Sequence, residues 1–168
     1  MTLDELAAAQ LAALDEVAGL LDRAHIAYWL FGGWAVDFYA GRVTRPHDDL
    51  DVAIWLEDLP RIAELLQRHG WRHAPSDDDD GGTGYELAAV RLELTYLVRD
   101  GDGRIFIPLR RGAAPWSKEA LGDDVGELHG VRARLVTVAS LMHGKSSPRD
   151  DPADGAKDRA DFSRLSRL

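Results

Sequence analysis

The stretch from Ala27 to Ile54 constrains the fold more than any other part of this 168-residue chain. Ala27-Tyr28-Trp29-Leu30-Phe31 is a short apolar run of strand type, and it breaks at Gly32-Gly33. Trp34 to Ala40 follows with helical spacing and is closed by Gly41, a residue that ends helices readily. Then comes Asp49-Leu50-Asp51-Val52-Ala53-Ile54, where acidic and apolar residues alternate at the start of a strand running to Trp55. Side chains on a strand point to opposite faces in turn. Asp49, Asp51 and Ala53 therefore share one side, and Leu50, Val52 and Ile54 share the other. The apolar side needs a core beneath it. The opposite side presents two carboxylates whose Cα atoms lie about 7 Å apart.

The rest of the chain extends this pattern. Thr2 and Glu5 have capping-box spacing ahead of a helical apolar stripe that includes Leu6, Leu11, Leu14, Val17 and Leu21. A helix near Asp58 or Leu59, with Pro60 in its first turn, should end just before Gly70, and Trp71 to Ala74 reads as a short strand. Ser76 to Gly84 is a loop by composition, because glycines and like charges both resist regular structure. Tyr85 to Val98 has strand character, and the turn Asp100-Gly101-Asp102-Gly103 leads to a hairpin partner at Arg104 to Leu109. Val131 to Val136 is a further strand, with Thr137 placed to cap a helix from Val138 to about His143. A loop is expected over Ser146 to Gly155, and a last helix from near Lys157. Strands that alternate with helices and later pair by hairpin predict an α/β (α+β) fold, a mixed sheet flanked by helices.

Composition narrows the function classes. There is no cysteine, which excludes disulfides, thiolate nucleophiles and cysteine-ligated zinc. No apolar run reaches the roughly 18 residues of a membrane span, and the acidic start Asp4-Glu5 is unlike a secretory leader, so a cytoplasmic protein is expected. The net charge of −9 opposes a nucleic-acid substrate and suits a small cationic one, though acidity also serves solubility alone. Only His69 and His73 have helical metal-ligand spacing, and Gly70 interrupts it.

The carboxylate pair and the glycine pair make chemical sense together. Two neighbouring carboxylates repel unless a cation joins them, and magnesium binds one or two carboxylates together with substrate phosphates. Gly32 and Gly33, lacking Cβ, let a phosphate approach the backbone, and the following helix directs its amides and positive dipole end at that phosphate. These are components of a phosphoryl- or nucleotidyl-transfer site. His47, just ahead of the acids, is placed to orient Asp49 or touch phosphate, or to serve the structure alone.

Gly32-Gly33-Trp34-Ala35-Val36-Asp37, Gly41-Arg42, Thr44-Arg45 and His47-Asp48-Asp49-Leu50-Asp51 resemble the signature of the aminoglycoside and lincosamide nucleotidyltransferases. These are small members of the polymerase-beta-like nucleotidyltransferase superfamily. The likeness continues through Trp116, Ala120-Leu121-Gly122, Gly130 to Val136 and Lys157-Asp158-Arg159-Ala160-Asp161, nearly the whole chain. It implies the nucleotidyltransferase fold in a single domain over 1–168. The catalytic core would span about 24–110, and a C-terminal strand and short helical part about 128–168.

The resemblance also implies that Asp49 and Asp51 ligate magnesium, as two ions, with ATP or another nucleoside triphosphate as co-substrate. Glu93, the one acid between Val90 and Tyr96, takes the place of the base that deprotonates the acceptor hydroxyl. Glu86 lies an odd number of residues away and competes only if a bulge or turn intervenes. Lys157 resembles the family lysine that contacts triphosphate, although it also has the spacing to pair with Asp161. Arg45 and Lys145 are weaker candidates of the same kind. The implied acceptor is a hydroxyl of an aminoglycoside or lincosamide antibiotic, with resistance as the outcome. The acidic run Asp77 to Asp80 suits the polycationic aminoglycosides or is simply a loop tip. The same core would also serve a protein or RNA acceptor, as in toxin-type relatives, or a non-catalytic nucleotide-binding module.

Overall fold

A computed structural model describes residues 1–146 and 152–168. Helix α1 (Leu3–Arg23) opens with the expected capping box, in which Thr2 and Glu5 exchange side-chain-to-backbone hydrogen bonds. Strand β1 (Tyr28–Phe31) leads straight into α2 (Gly32–Ala40), and Gly41 closes that helix in the left-handed conformation. Strand β2 (Leu50–Trp55) is followed by a single 3-10 turn and α3 (Leu59–Arg68), with the proline in its first turn. The proline costs nothing there, because a first-turn amide has no helical acceptor.

Next come β3 (Arg72–His73), β4 (Gly82–Leu87), β5 (Val90–Arg99), β6 (Ile105–Pro108) and β7 (Ala113–Trp116). They join β1 and β2 in one seven-stranded sheet, ordered β1-β2-β5-β4-β3, with β6 and β7 continuing from the far end of β5. The β2–β5 pair is parallel and the other pairs are antiparallel, so the sheet is mixed as expected. A hairpin of β8 (Val125–Leu128) and β9 (Val131–Arg134) adjoins β1, where Leu30 and Leu135 form an isolated bridge. Helices α4 (Val138–Ser146) and α5 (Pro152–Leu165) complete the described chain.

One face of the sheet makes the main core. Leu50, Ile54, Leu92 and Leu94 are fully buried there with Leu14 and Leu21 of α1 and with Ile62 and Leu66 of α3. Burial of each such side chain is worth about 1.5–3 kcal/mol, enough to set the register of β2 and aim its acids at the opposite face. Among the described residues no helix is long and apolar enough to cross a membrane.

Tyr85 to Val98 has the expected strand character, divided between two strands joined by a tight turn at Ala88-Ala89, with Ala88 at a φ of 50°. Two expectations need correction. Gly82, Thr83 and Gly84 belong to β4 rather than to the loop, which ends at Gly81. The last helix starts at Pro152, five residues before Lys157, because proline fits a first helical turn. Part of the loop expected over Ser146 to Gly155, namely 147–151, lies outside the described residues. Strands β7 and β8 carry no alternating pattern that would have announced them.

Candidate active site

Helix α2 begins at Gly32 rather than near Trp34, so both glycines form its first turn. Gly32 has a φ of +69°, and a Cβ built there would overlap the Asp51 carboxylate. A Cβ on Gly33 would come within 2.5 Å of Arg45 Nη2 and of His47 Nδ1. The glycines thus bring the helix N-terminus against three polar side chains, and Phe31 adds no side-chain cap that would occupy its amides.

Strand register supplies the carboxylates. Asp51 pairs with Phe31 on β1 and with Glu93 on β5, which puts Glu93 beside it on the same face of the sheet. Asp49 precedes β2 by one residue and is two residues from Asp51. A cleft of about 890 Å³ opens over this face. Its wall brings together Gly32, Gly33, Arg45, Asp49, Asp51 and Lys157. Glu93 lies beside that wall, on the Asp51 face of the sheet, and its Oε1 accepts from Arg91 Nε.

Burial shifts both acids in the same direction. The Asp49 carboxyl is pushed above the usual range, first by burial and then by neighbouring Asp48, with Arg91, Lys157 and His47 opposing. Burial also raises Glu93, against a hydrogen bond and the positive charge of Arg91. Asp48 moves down, because Lys157 Nζ donates to its Oδ2 at 2.8 Å. Among the described residues no group of three or more histidines and acids is assembled for a metal ion. Two carboxylates on one strand face fit magnesium in the form that needs only such a pair, with substrate phosphates and water as the remaining ligands.

The cations and histidine have firm partners. Arg45 makes a bidentate pair with the fully buried Asp161 of α5, at 3.2 Å from Nε and 2.9 Å from Nη2, and Arg164 adds a 2.8 Å bond to the same acid. Lys157 therefore pairs with Asp48 rather than with Asp161. His47 does not orient Asp49. Its Nε2 lies 2.5 Å from Oδ2 of buried Asp37, whose Oδ1 accepts from the Thr44 hydroxyl. The Lys145 side chain lies outside the described residues.

Glu86 meets the condition under which it competes with Glu93, because a turn does intervene. The Ala88-Ala89 turn places it opposite Arg91, on the face that carries Glu93, where it accepts from Arg91 Nη1 at 3.2 Å. The acidic run is not a loose tip either. The Arg110 amide donates to Asp80 at 2.7 Å and its guanidinium to the carbonyls of Asp77 and Asp79. Sequence reasoning assigns no site role to Asp37 or Arg91, and it offers Asp161 only as a partner for Lys157, not for Arg45. Asp37 had a signal, as the one charged residue in the otherwise uncharged segment from Gly32 to Ala40.

A glycine turn at a helix N-terminus, facing a carboxylate pair on the adjoining strand of a mixed sheet, belongs here to a fold of the nucleotidyltransferase class. The chain belongs to the aminoglycoside-2''-adenylyltransferase family, whose profile matches residues 13–165. Its fold superposes on LnuA, a lincosamide antibiotic adenylyltransferase solved with lincomycin bound, with a TM-score of 0.67 and 17% identity over 88% of this chain and 90% of that one. ANT(2'')-Ia in complex with adenylyl-2''-tobramycin gives a TM-score of 0.67 and 19% identity over 95% and 88% of the two chains. In sequence, a 2''-aminoglycoside nucleotidyltransferase from Escherichia coli is 37% identical over 60 residues, 34% of each chain. The aligned stretch thus spans only about a third of that curated relative.

Proposed function

We propose that this protein is an adenylyltransferase that moves AMP from ATP to a hydroxyl of a small antibiotic, an aminoglycoside or a lincosamide, and so confers resistance. The observation that carries this reading is the register that sets Asp51 between the glycine turn and Glu93. Family membership and the fold shared with antibiotic adenylyltransferases support it.

Gly32, Gly33 and the first amides of α2 would cradle the phosphates, with Lys157 and Arg45 adding positive charge at the cleft wall. Asp49 and Asp51 would hold magnesium, which when bound neutralises charge on the phosphate oxygens. The acceptor oxygen attacks the α-phosphorus, a new O–P bond forms, and the bond to pyrophosphate breaks. Glu93 takes the hydroxyl proton as general base. No covalent enzyme intermediate is required. The net charge of −9 attracts a polycationic aminoglycoside. A cytoplasmic location accords with ATP as donor.

The test is incubation of the purified protein with ATP, magnesium and a panel of aminoglycosides and lincosamides, read by mass spectrometry. One antibiotic should gain the mass of an adenylyl group while pyrophosphate is released. A panel that stays unmodified while ATP binds normally would overturn the antibiotic acceptor.

A further inference from the structure

We propose that Arg91 is a positioning residue, whose guanidinium holds the Glu93 carboxylate in the orientation that receives the acceptor's proton. The inference rests on the reading of Glu93 as general base. Arg91 and Glu93 are two residues apart on β5 and so share the site face of the sheet. Arg91 Nε donates to Glu93 Oε1, and Nη1 donates to Glu86 Oε1 and to the Ala74 carbonyl, both at 3.2 Å. Glu86 is held in turn by Arg72 across the β3–β4 pair. The guanidinium is thus fixed from three directions, with Glu93 at the end of an alternating chain of charges.

The backbone is shaped to the same end. Gly84 faces Glu93 in the β4–β5 register, and a Cβ built on it would lie 2.8 Å from Arg91 Cζ and 2.9 Å from the Ala74 carbonyl oxygen. Glycine at this strand position gives up side-chain packing and leaves a seat for the guanidinium. At 27% and 25% side-chain exposure the Arg91–Glu93 pair is only partly shielded from water, so its contribution to stability is modest. What the contact supplies is direction. A charge-assisted hydrogen bond restricts the carboxylate to one orientation, and a base that is free to turn loses rate steeply with misalignment.

The test is a double-mutant cycle with Arg91→Met, Glu93→Gln and the combined variant, using ATP, magnesium and the best acceptor from the antibiotic panel. Methionine keeps the aliphatic stem and removes every donor; Arg91→Leu also removes every donor and provides the comparison if the methionine variant aggregates. Arg91→Met should lower kcat roughly tenfold to a hundredfold. KM for ATP should stay within about twofold, since Arg91 is not in the cleft wall. On the Glu93→Gln background the same substitution should change kcat by less than about threefold, because it acts through the missing base. A kcat equal to wild type in Arg91→Met, or the same loss on both backgrounds, overturns the positioning role and leaves the base reading standing. Near wild-type turnover in Glu93→Gln alone overturns the base reading, and this proposal falls with it.

Discussion

The Asp51 carboxylate occupies the space that a side chain on Gly32 would need, so the first residue of α2 and the second acid of the pair are sterically linked. Gly32→Ala must therefore do two things. It forces a non-glycine residue to a φ of +69°, at a cost of about 1–2 kcal/mol, and it displaces the carboxylate. Gly41 is the matched control, with a φ of +70° and nothing within 4 Å of the Cβ that alanine would add. Both alanine variants should melt at lower temperature, Gly32→Ala by at least as much as Gly41→Ala, and only Gly32→Ala should lose most of its turnover. Equal activity in the two would show that the glycine turn and Asp51 are not functionally coupled.

Asp49→Asn should be inactive and more heat-stable than wild type when magnesium is chelated. Burial and Asp48 hold the Asp49 carboxyl above its ordinary range, so its ionised form is disfavoured in the folded state. A folded-state value above the unfolded one means that the charge destabilises the fold at neutral pH, and the effect fades as pH falls through the raised value. The advantage of asparagine should therefore be largest near neutrality and shrink on acidification. Thermal melts of both proteins across that range, with EDTA present, check the sign.

The parts of the site that could be read from the sequence were local in the chain. Gly32-Gly33 and the alternation from Asp49 to Ile54 carry their meaning within a few residues, because glycine geometry and strand parity are local rules. The Ala88-Ala89 turn was hidden because none of the usual turn residues marks it, and Leu87 to Val90 simply prolongs an apolar run. That single turn is the exception under which Glu86 joins the face of Glu93, and it creates the Glu86–Arg91–Glu93 chain. The pairs Arg45–Asp161 and Lys157–Asp48, 116 and 109 residues apart, depend on how α5 docks. No periodicity encodes such distant contacts. The glycines of β4 imitate a loop in the sequence for a related reason, since their lack of side chains answers to Leu94 and Arg91 on the neighbouring strand rather than to a local turn.

Lys157→Ala should weaken ATP binding while leaving the melting temperature almost unchanged. Its visible partner is Asp48, and the pair is exposed, with side chains 41% and 81% accessible, so its loss costs about 0–1 kcal/mol at most. A phosphate contact made through the cleft wall would be worth roughly 1.5–3 kcal/mol, or about ten- to a hundredfold in affinity. Calorimetric titration with ATP and magnesium separates the two roles. An unchanged affinity would reduce Lys157 to an anchor between α5 and the residue before Asp49.

Glu93→Gln separates base catalysis from binding, because glutamine keeps the shape and much of the hydrogen bonding but cannot accept a proton. Loss of general-base assistance typically costs about 10²–10⁴ in rate, whereas the affinity for ATP and acceptor should change far less. If the side chain acted chiefly as a metal ligand, magnesium-dependent nucleotide affinity would fall together with the rate. The acid limb of the pH profile gives a second reading. Burial lifts the Glu93 carboxyl above the ordinary glutamate range against the pull of Arg91, so its basic form disappears at a higher pH than usual as the solution is acidified. The wild-type kcat/KM should accordingly begin to fall above the usual glutamate range, and the residual activity of Glu93→Gln should lack that limb. Single-turnover rates, profiles from pH 4 to 9 and ATP affinities on the same two proteins make the comparison. Full activity in the glutamine variant would remove Glu93 from the mechanism and leave Glu86, which shares its face and its arginine, as the carboxylate to test next.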